Sequence, residues 1–249
     1  MCTLVIARRP GDDWPVLIAA NRDEMVDRPW QPPGRHWLDR ADVVAGRDVL
    51  AGGSWLGLSD AGVVAAVLNR RGSLGPADGK RSRGELVLEA LDHADARDAA
   101  VALAQLDGRA WRSFNLVVAD NRDAWWLRGT GDAKVTAKAV PAGVSMLTSR
   151  ELNDPASPRI RNFLERFRGA PAPDVAAGDW TAWQSLLASR VHEVEDGPAE
   201  AMCVVTDTGY GTTSSSLIAL PSSERPGVRP VWLFAAGRPG EVPFEPVAV

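Results

Sequence analysis

The chain predicts an α+β fold. Its apolar segments come in blocks, strands then helices, strands, helices and strands again, and not in the regular alternation of a parallel βαβ fold. The strand-like runs are short and separated by turn residues, so they pair as antiparallel hairpins. At 249 residues, 45% hydrophobic and 24% charged, the composition is that of an ordinary globular chain. The one linker, the Gly/Ala/Pro stretch 169–173, is short, which predicts a single domain over residues 1–249.

Leu4–Ala7 and Val16–Ala20 flank a turn and read as paired strands buried on both faces. Residues 28–41 hold Pro29, Pro32, Pro33 and Gly34 among Trp30, His36 and Trp37, which predicts an irregular surface loop. The small residues of 45–57 permit close backbone approach. Trp55–Ser59 and Val63–Asn69 form a hairpin around Asp60-Ala61-Gly62. A Gly- and Arg-rich loop over 70–84 precedes a helix announced by Ser82 and Glu85 as a capping box. A second helix covers Ala96–Leu106 and stops at Asp107-Gly108. Phe114–Ala119 with Ala124–Arg128 makes another hairpin, and Lys134–Val140 and Val144–Thr148 continue the strands. Ile160, Phe163, Leu164 and Phe167 place one apolar face on a helix over Pro158–Phe167. A further helix spans about Thr181–Arg190, and strands over Ala201–Thr206, Ser216–Leu220 and Val231–Ala235 close the chain.

Several function classes are excluded. A net charge of −4 argues against a general nucleic-acid binder. The glycines of 45–57 lack the spacing and the terminal Lys-Ser/Thr of a phosphate loop, and no Cys or His spacing suggests zinc or attached haem. No run approaches the length of a membrane span, and the N-terminus does not read as a signal peptide. With only Cys2 and Cys203, the expected setting is a soluble, reducing cytoplasm.

Cys2 is the residue around which chemistry concentrates. Trimming of Met1 before a small residue would leave a cysteine carrying both thiol and free α-amine, with ordinary pKa values of about 8.5 and 8. An amine on the same residue can take the thiol proton, the logic of an N-terminal nucleophile. A buried cysteine that simply begins a strand is the other reading. The second apolar run ends in Asn21-Arg22-Asp23-Glu24, four polar residues beside Cys2's partner strand.

That tetrad resembles the signature of the NRDE family, also called the transport and Golgi organisation protein 2 family. The resemblance extends in order through Met1-Cys2, Arg28-Pro29, Trp37, Ala45-Gly46-Arg47-Asp48, Ala51–Gly57, Ser82-Arg83-Gly84, Phe114-Asn115-Leu116 and Tyr210-Gly211-Thr212. It implies an N-terminal-nucleophile-hydrolase-like αββα sandwich, two antiparallel sheets between helical layers. It also implies a haem-trafficking, chaperone-like role, with haem or another amphipathic metabolite as cargo and haem-acceptor proteins as transient partners. The axial ligand is left open between Cys2 and His36; His93 reads as lying on an outward helix face and His192 in a charged stretch. Trp30, Trp37, Trp55, Trp111, Trp125 and Trp126 offer aromatic surface for a planar ligand.

A more distant resemblance, to choloylglycine hydrolase and penicillin V acylase, carries the alternative function: an N-terminal cysteine amidohydrolase acting on an acylated small molecule or acyl-coenzyme A. It implies Cys2 as nucleophile, Asp23 orienting its amine and Asn69 as oxyanion donor. Asn21, Arg22, Asp23, Glu24, Arg47, Trp55 and Ser149 would then contact ligand, and either Asn21 or Arg22 faces Cys2. Two positions depart from the pattern. Ser149 stands where an asparagine is usual, and Thr213 where the NRDE family has an arginine. The second change removes a guanidinium that could hold an anion; Arg150 is a candidate replacement.

Overall fold

The structure, a computed structural model, describes residues 2–249; removal of Met1 lies outside the described residues. In chain order the elements are β1 (Thr3–Arg8), β2 (Val16–Met25), β3 (Trp30–Gly34), β4 (Val43–Asp48), β5 (Leu56–Ser59), β6 (Val64–Asn69), α1 (Gly84–Leu91), α2 (Ala96–Ala104), β7 (Phe114–Ala119), β8 (Ala124–Gly129), β9 (Val135–Ala139), β10 (Gly143–Leu147), α3 (Pro158–Gly169), α4 (Thr181–Leu187), β11 (Tyr210–Leu220), β12 (Val231–Ala235) and β13 (Glu245–Pro246). The contacts fall into two compact units. One holds the residues up to Arg28 with Pro141–Ala248, the other Pro29–Val140.

The first unit carries a six-stranded antiparallel sheet in the order β10-β1-β2-β11-β12-β13. Val5 and Ala7 of β1, Leu17 and Ala19 of β2 and Leu217 and Ala219 of β11 form one apolar face. Against it α3 turns Ile160, Phe163, Leu164 and Phe167, and α4 adds Trp183 and Leu187. These spacings are the helical stripe read from the sequence. The alternate residues Leu4, Ile6 and Ile18 are also fully buried, so β1 and β2 are apolar on both faces and read as continuous hydrophobic runs.

The second unit is a seven-stranded meander in sequence order, β3 to β9. Ala45, Ala65, Phe114, Leu116, Val118 and Leu127 pack on Leu86, Val87, Ala90 and Leu91 of α1 and Ala96, Ala99, Ala100 and Leu103 of α2. Glu85 reaches back to the Ser82 N–H at 3.3 Å, but the N-cap is Arg83 and the Ser82 hydroxyl accepts from the Gly84 N–H at 3.2 Å, so only half of the expected capping box forms. Asp95 caps α2 by accepting from the Asp98 N–H at 2.8 Å.

Four expectations are corrected. Residues 30–34 are not loop but the edge strand β3, with a register break between Gln31 and Gly34. Pro32 and Pro33 sit in that break, at an edge, where a missing N–H costs no ladder bond. Ala201–Thr206 forms no strand beyond an isolated bridge of Val205 with Gly211. β11 instead begins at Tyr210, six residues before the apolar signal at Ser216. His93 lies in the turn after α1, not on a helix.

Small residues at 46 and 53 do permit close approach. A Cβ on Gly46 would stand 2.3 Å from the Trp55 ring, and one on Gly53 2.5 Å from the Gly84 backbone. Gly46→Ala should therefore lower stability by about 1–3 kcal/mol in denaturant unfolding. Adding Trp55→Leu should recover part of that loss; an unchanged Gly46→Ala midpoint would refute the packing account.

Candidate active site

The site is built where β2 loses its apolar character. From Asn21 onward its side chains are polar, yet Asn21, Arg22 and Asp23 are all buried. Burying such groups is costly unless each finds a partner. The partners come from β11, whose first half is a run of hydroxyls. Ser215 Oγ donates to Asn21 Oδ1 at 2.5 Å. Arg22 Nη1 donates to Thr213 Oγ1 at 3.0 Å, and the same hydroxyl donates back to the Arg22 carbonyl at 3.2 Å. Thr212 Oγ1 donates to Asp23 Oδ1 at 2.7 Å and accepts from the Val204 N–H at 2.8 Å. The strands pair Ser215 with Asn21 and Thr212 with Asp23, and the register shifts between Thr212 and Ser214. Thr213 is the extra residue of that bulge, and the bulge aims its hydroxyl at Arg22.

Strand alternation sorts these groups onto two faces. Asn21 and Asp23 turn toward the helices with Leu17 and Ala19. The Asn21 amide nitrogen donates to the Leu187 carbonyl at the end of α4 at 3.0 Å and to the Met202 carbonyl at 2.8 Å. Asn21 therefore spends its amide on protein bonds. Thr3 pairs with Asn21, so Cys2 and Arg22 share the opposite face. Of the two residues the sequence left open, Arg22 is the one beside Cys2.

The Cys2 thiol is gripped by backbone. It accepts from the Asp23 N–H at 3.4 Å and donates to the Asp23 carbonyl at 3.6 Å. Burial, and after it the Asp23 carboxylate, push the thiol pKa up; the chain's α-amine, the Asp23 N–H and the Arg22 guanidinium oppose this without overcoming it. The resting sulfur is therefore a neutral thiol. Tyr210 adds a phenol whose O–H donates to the Asp23 carbonyl at 3.3 Å and whose own ionisation is suppressed by burial.

The Asp23 carboxylate points away from that sulfur, into a buried ion pair with Arg159 of α3. Arg159 Nη1 donates to Asp23 Oδ2 at 2.9 Å and to Thr3 Oγ1 at 2.5 Å, and Nη2 to the Ala199 carbonyl at 2.6 Å. The two side chains are 1% and 0% exposed. Sequence reading missed Arg159. Its signal was present: it lies four residues before Phe163, on the apolar face of α3, where an unpartnered arginine would not be tolerated.

The remaining candidates fall as follows. Glu24 is half-exposed, accepts from the Met25 N–H at 2.9 Å and faces Arg28 at 3.9 Å, a rim interaction of little energy. Ser149 is buried just after β10, in the same unit as Cys2. Asn69, Arg47 and Trp55 belong to the other unit. Asn69 ends β6 opposite Phe114. Arg47 lies on β4 opposite Gln31, its Nε buried with no hydrogen-bond partner among the described residues. Trp55 meets Trp30 edge-on at 5.8 Å. His36 Nε2 is 2.8 Å from the Pro32 carbonyl. Among the described residues no group of three or more His, Cys, Asp or Glu could hold a metal ion, and no helix is long and apolar enough to cross a membrane.

A thiol held protonated should alkylate slowly. Peptide-resolved iodoacetamide labelling of Cys2 should be slower than that of a free cysteine at about pH 7.5 and still rise above about pH 8.5, the ordinary thiol value. A plateau below that value would show that the thiol is not suppressed.

Comparison with known proteins bears on the same residues. The family model described as Transport and Golgi organisation 2 matches residues 1–226. The Transport and Golgi organization 2 homolog of Mus musculus is 32% identical over 108 residues, 42% of this chain and 38% of that protein. The match thus spans well under half of that relative's length. Among solved structures, the Caenorhabditis elegans N-acylethanolamine-hydrolyzing acid amidase ortholog superposes with a TM-score of 0.58 at 12% identity, covering 87% of this chain and 92% of that one. The C2A mutant of the conjugated bile acid hydrolase from Clostridium perfringens gives 0.54 at 12% identity, covering 100% and 97%. These likenesses establish the N-terminal-nucleophile-hydrolase-like fold. With its ordered motifs and a family model matched from residue 1 to 226, the chain belongs to the Transport and Golgi organisation 2 family.

Proposed function

We propose that Cys2 is the nucleophile of an N-terminal cysteine hydrolase that cleaves the amide or thioester of an acylated small molecule. The observation that carries this reading is the grip on the sulfur: both backbone groups of Asp23 hold Cys2 Sγ beside the Arg22 guanidinium. The fold's likeness to an amidase and a bile acid hydrolase supports it. A neutral thiol needs a base at the moment of attack. Trimming of Met1 supplies one, the α-amine of Cys2 itself. The amine takes the thiol proton, sulfur adds to the carbonyl carbon, and the proton passes to the departing amine or thiol. Water then hydrolyses the acyl-Cys2 thioester.

Intact mass of the purified chain reports whether Met1 has been removed, and retention would exclude the amine mechanism. On the trimmed chain, an amide and thioester panel should show turnover that Cys2→Ala lowers by on the order of 1000-fold. Equal turnover by wild type and Cys2→Ala would refute the proposal.

Carriage of haem or a similar planar, amphipathic metabolite, passed on to acceptor proteins, is the second reading. It is favoured by the half-exposed Trp30–Trp55 pair, which offers aromatic faces to a flat ligand. Cys2 stays protonated and His36 Nε2 is engaged by the Pro32 carbonyl. Such a cargo would therefore be held by apolar contact and not through these two atoms. Hemin titration should then give a saturable Soret change that survives both Cys2→Ala and His36→Ala; non-saturating binding would end this reading.

A further inference from the structure

We propose that Arg159 is a positioning residue for the Cys2 thiol, one guanidinium that ties the start of β1 to the end of β2 at the residues flanking and holding the sulfur. As a statement about a working nucleophile it rests on the hydrolase reading, but the geometry behind it is independent of turnover. Arg159 Nη1 bridges Thr3 Oγ1, on the residue after Cys2, and Asp23 Oδ2, on the residue whose N–H and C=O hold Cys2 Sγ. Nη2 fastens the guanidinium to the Ala199 carbonyl. Thr212 completes the cradle from β11 through Asp23 Oδ1. β11 and α3 thus meet the β2 carboxylate directly, β1 joins through Arg159, and the thiol hangs from that carboxylate's main chain.

Arg159 also has an electrostatic consequence. The Asp23 carboxylate is one of the groups that hold the Cys2 thiol protonated; the other charged or titratable groups acting on it are the chain's α-amine, Arg22 and Tyr210. Arg159 faces that carboxylate and draws it toward α3. Without the guanidinium, the carboxylate keeps the Thr212 hydroxyl as donor but loses the α3 cation that offsets its charge at the thiol. A side chain that served only to fill the α3 face would alter stability and leave the thiol's titration unchanged.

The test is peptide-resolved alkylation of Cys2 on the purified full chain from about pH 6 to about pH 10, a range spanning the ordinary thiol value. Arg159→Met and Arg159→Gln remove the charge; Arg159→Lys retains it. The neutral variants should shift the Cys2 profile to higher pH and slow labelling near pH 8 by about tenfold, the change made by one pKa unit. Arg159→Lys should return the profile to wild type. Arg159→Gln keeps hydrogen-bonding capacity toward Thr3 and Asp23, so it provides the neutral profile if Arg159→Met does not fold. Neutral-variant profiles that overlay wild type would overturn the proposal, whatever the turnover. A shifted profile restored by lysine, in a chain whose wild type cleaves neither amides nor thioesters, would retain the positioning role and remove the hydrolase reading.

Discussion

The pairing of Asp23 with Arg159 is the constraint on which the site's arrangement depends. Removing one partner from a buried ion pair leaves an uncompensated charge and typically costs about 3–5 kcal/mol. The chain has many other ion pairs, such as Arg40 with Asp92 and Arg81 with Glu89, but these are solvent-exposed and individually contribute about 0–1 kcal/mol. Asp23 and Arg159 instead lie in the interior of the first unit, fully shielded. A well-packed apolar pair could occupy such a place at similar or greater stability. What an apolar pair could not do is fix a strand end by directional bonds to Thr3, Thr212 and the Ala199 carbonyl at once.

The hydroxyl run of β11 answers the same constraint. Thr212, Thr213 and Ser215 each meet one polar residue of β2, so a strand that looks unsuited to a sheet interior is satisfied side chain by side chain. This explains why β11 was half hidden in the sequence. Strand signals are apolar alternation, and they begin only at Ser216–Leu220, after the hydroxyls have done their pairing. β3 was hidden for a different reason: its two prolines, breakers in a central strand, sit harmlessly in a register break at a sheet edge. By contrast β1, the apolar half of β2, the β5–β6 and β7–β8 hairpins and the stripe of α3 were legible, because burial alone determines those positions. Cys2 and the NRDE tetrad were legible as a cluster. Arg159 was legible only as an arginine on an apolar helix face, since nothing local names its partner, 136 residues away.

Thr213 takes on a different meaning in this setting. Against the family pattern it is a lost arginine and a lost anion anchor. In the structure its hydroxyl both accepts from and donates to Arg22. A second guanidinium at that bulge would face the first with like charge, so the two residues are matched as they stand. Arg22, buried and on the Cys2 face, is a guanidinium whose charge acts on the sulfur. The substitution leaves the Arg22 guanidinium as the cation at this bulge, bonded to the Thr213 hydroxyl.

The electrostatics then order the steps of any chemistry at Cys2. Burial and the Asp23 carboxylate hold the thiol protonated, and the chain's α-amine, the Asp23 N–H and Arg22 soften that bias without reversing it. A thiolate formed in advance would be the stronger nucleophile, but a suppressed thiol is inert until a base is within reach. In an N-terminal nucleophile that base arrives with the free amine, on the same residue and at no cost in alignment. The main-chain grip of Asp23 holds the sulfur in place, and Arg159 keeps the Asp23 carboxylate on the far face of the strand. Position and proton are thus governed from opposite faces of β2, and the residue that joins the two tasks is Asp23.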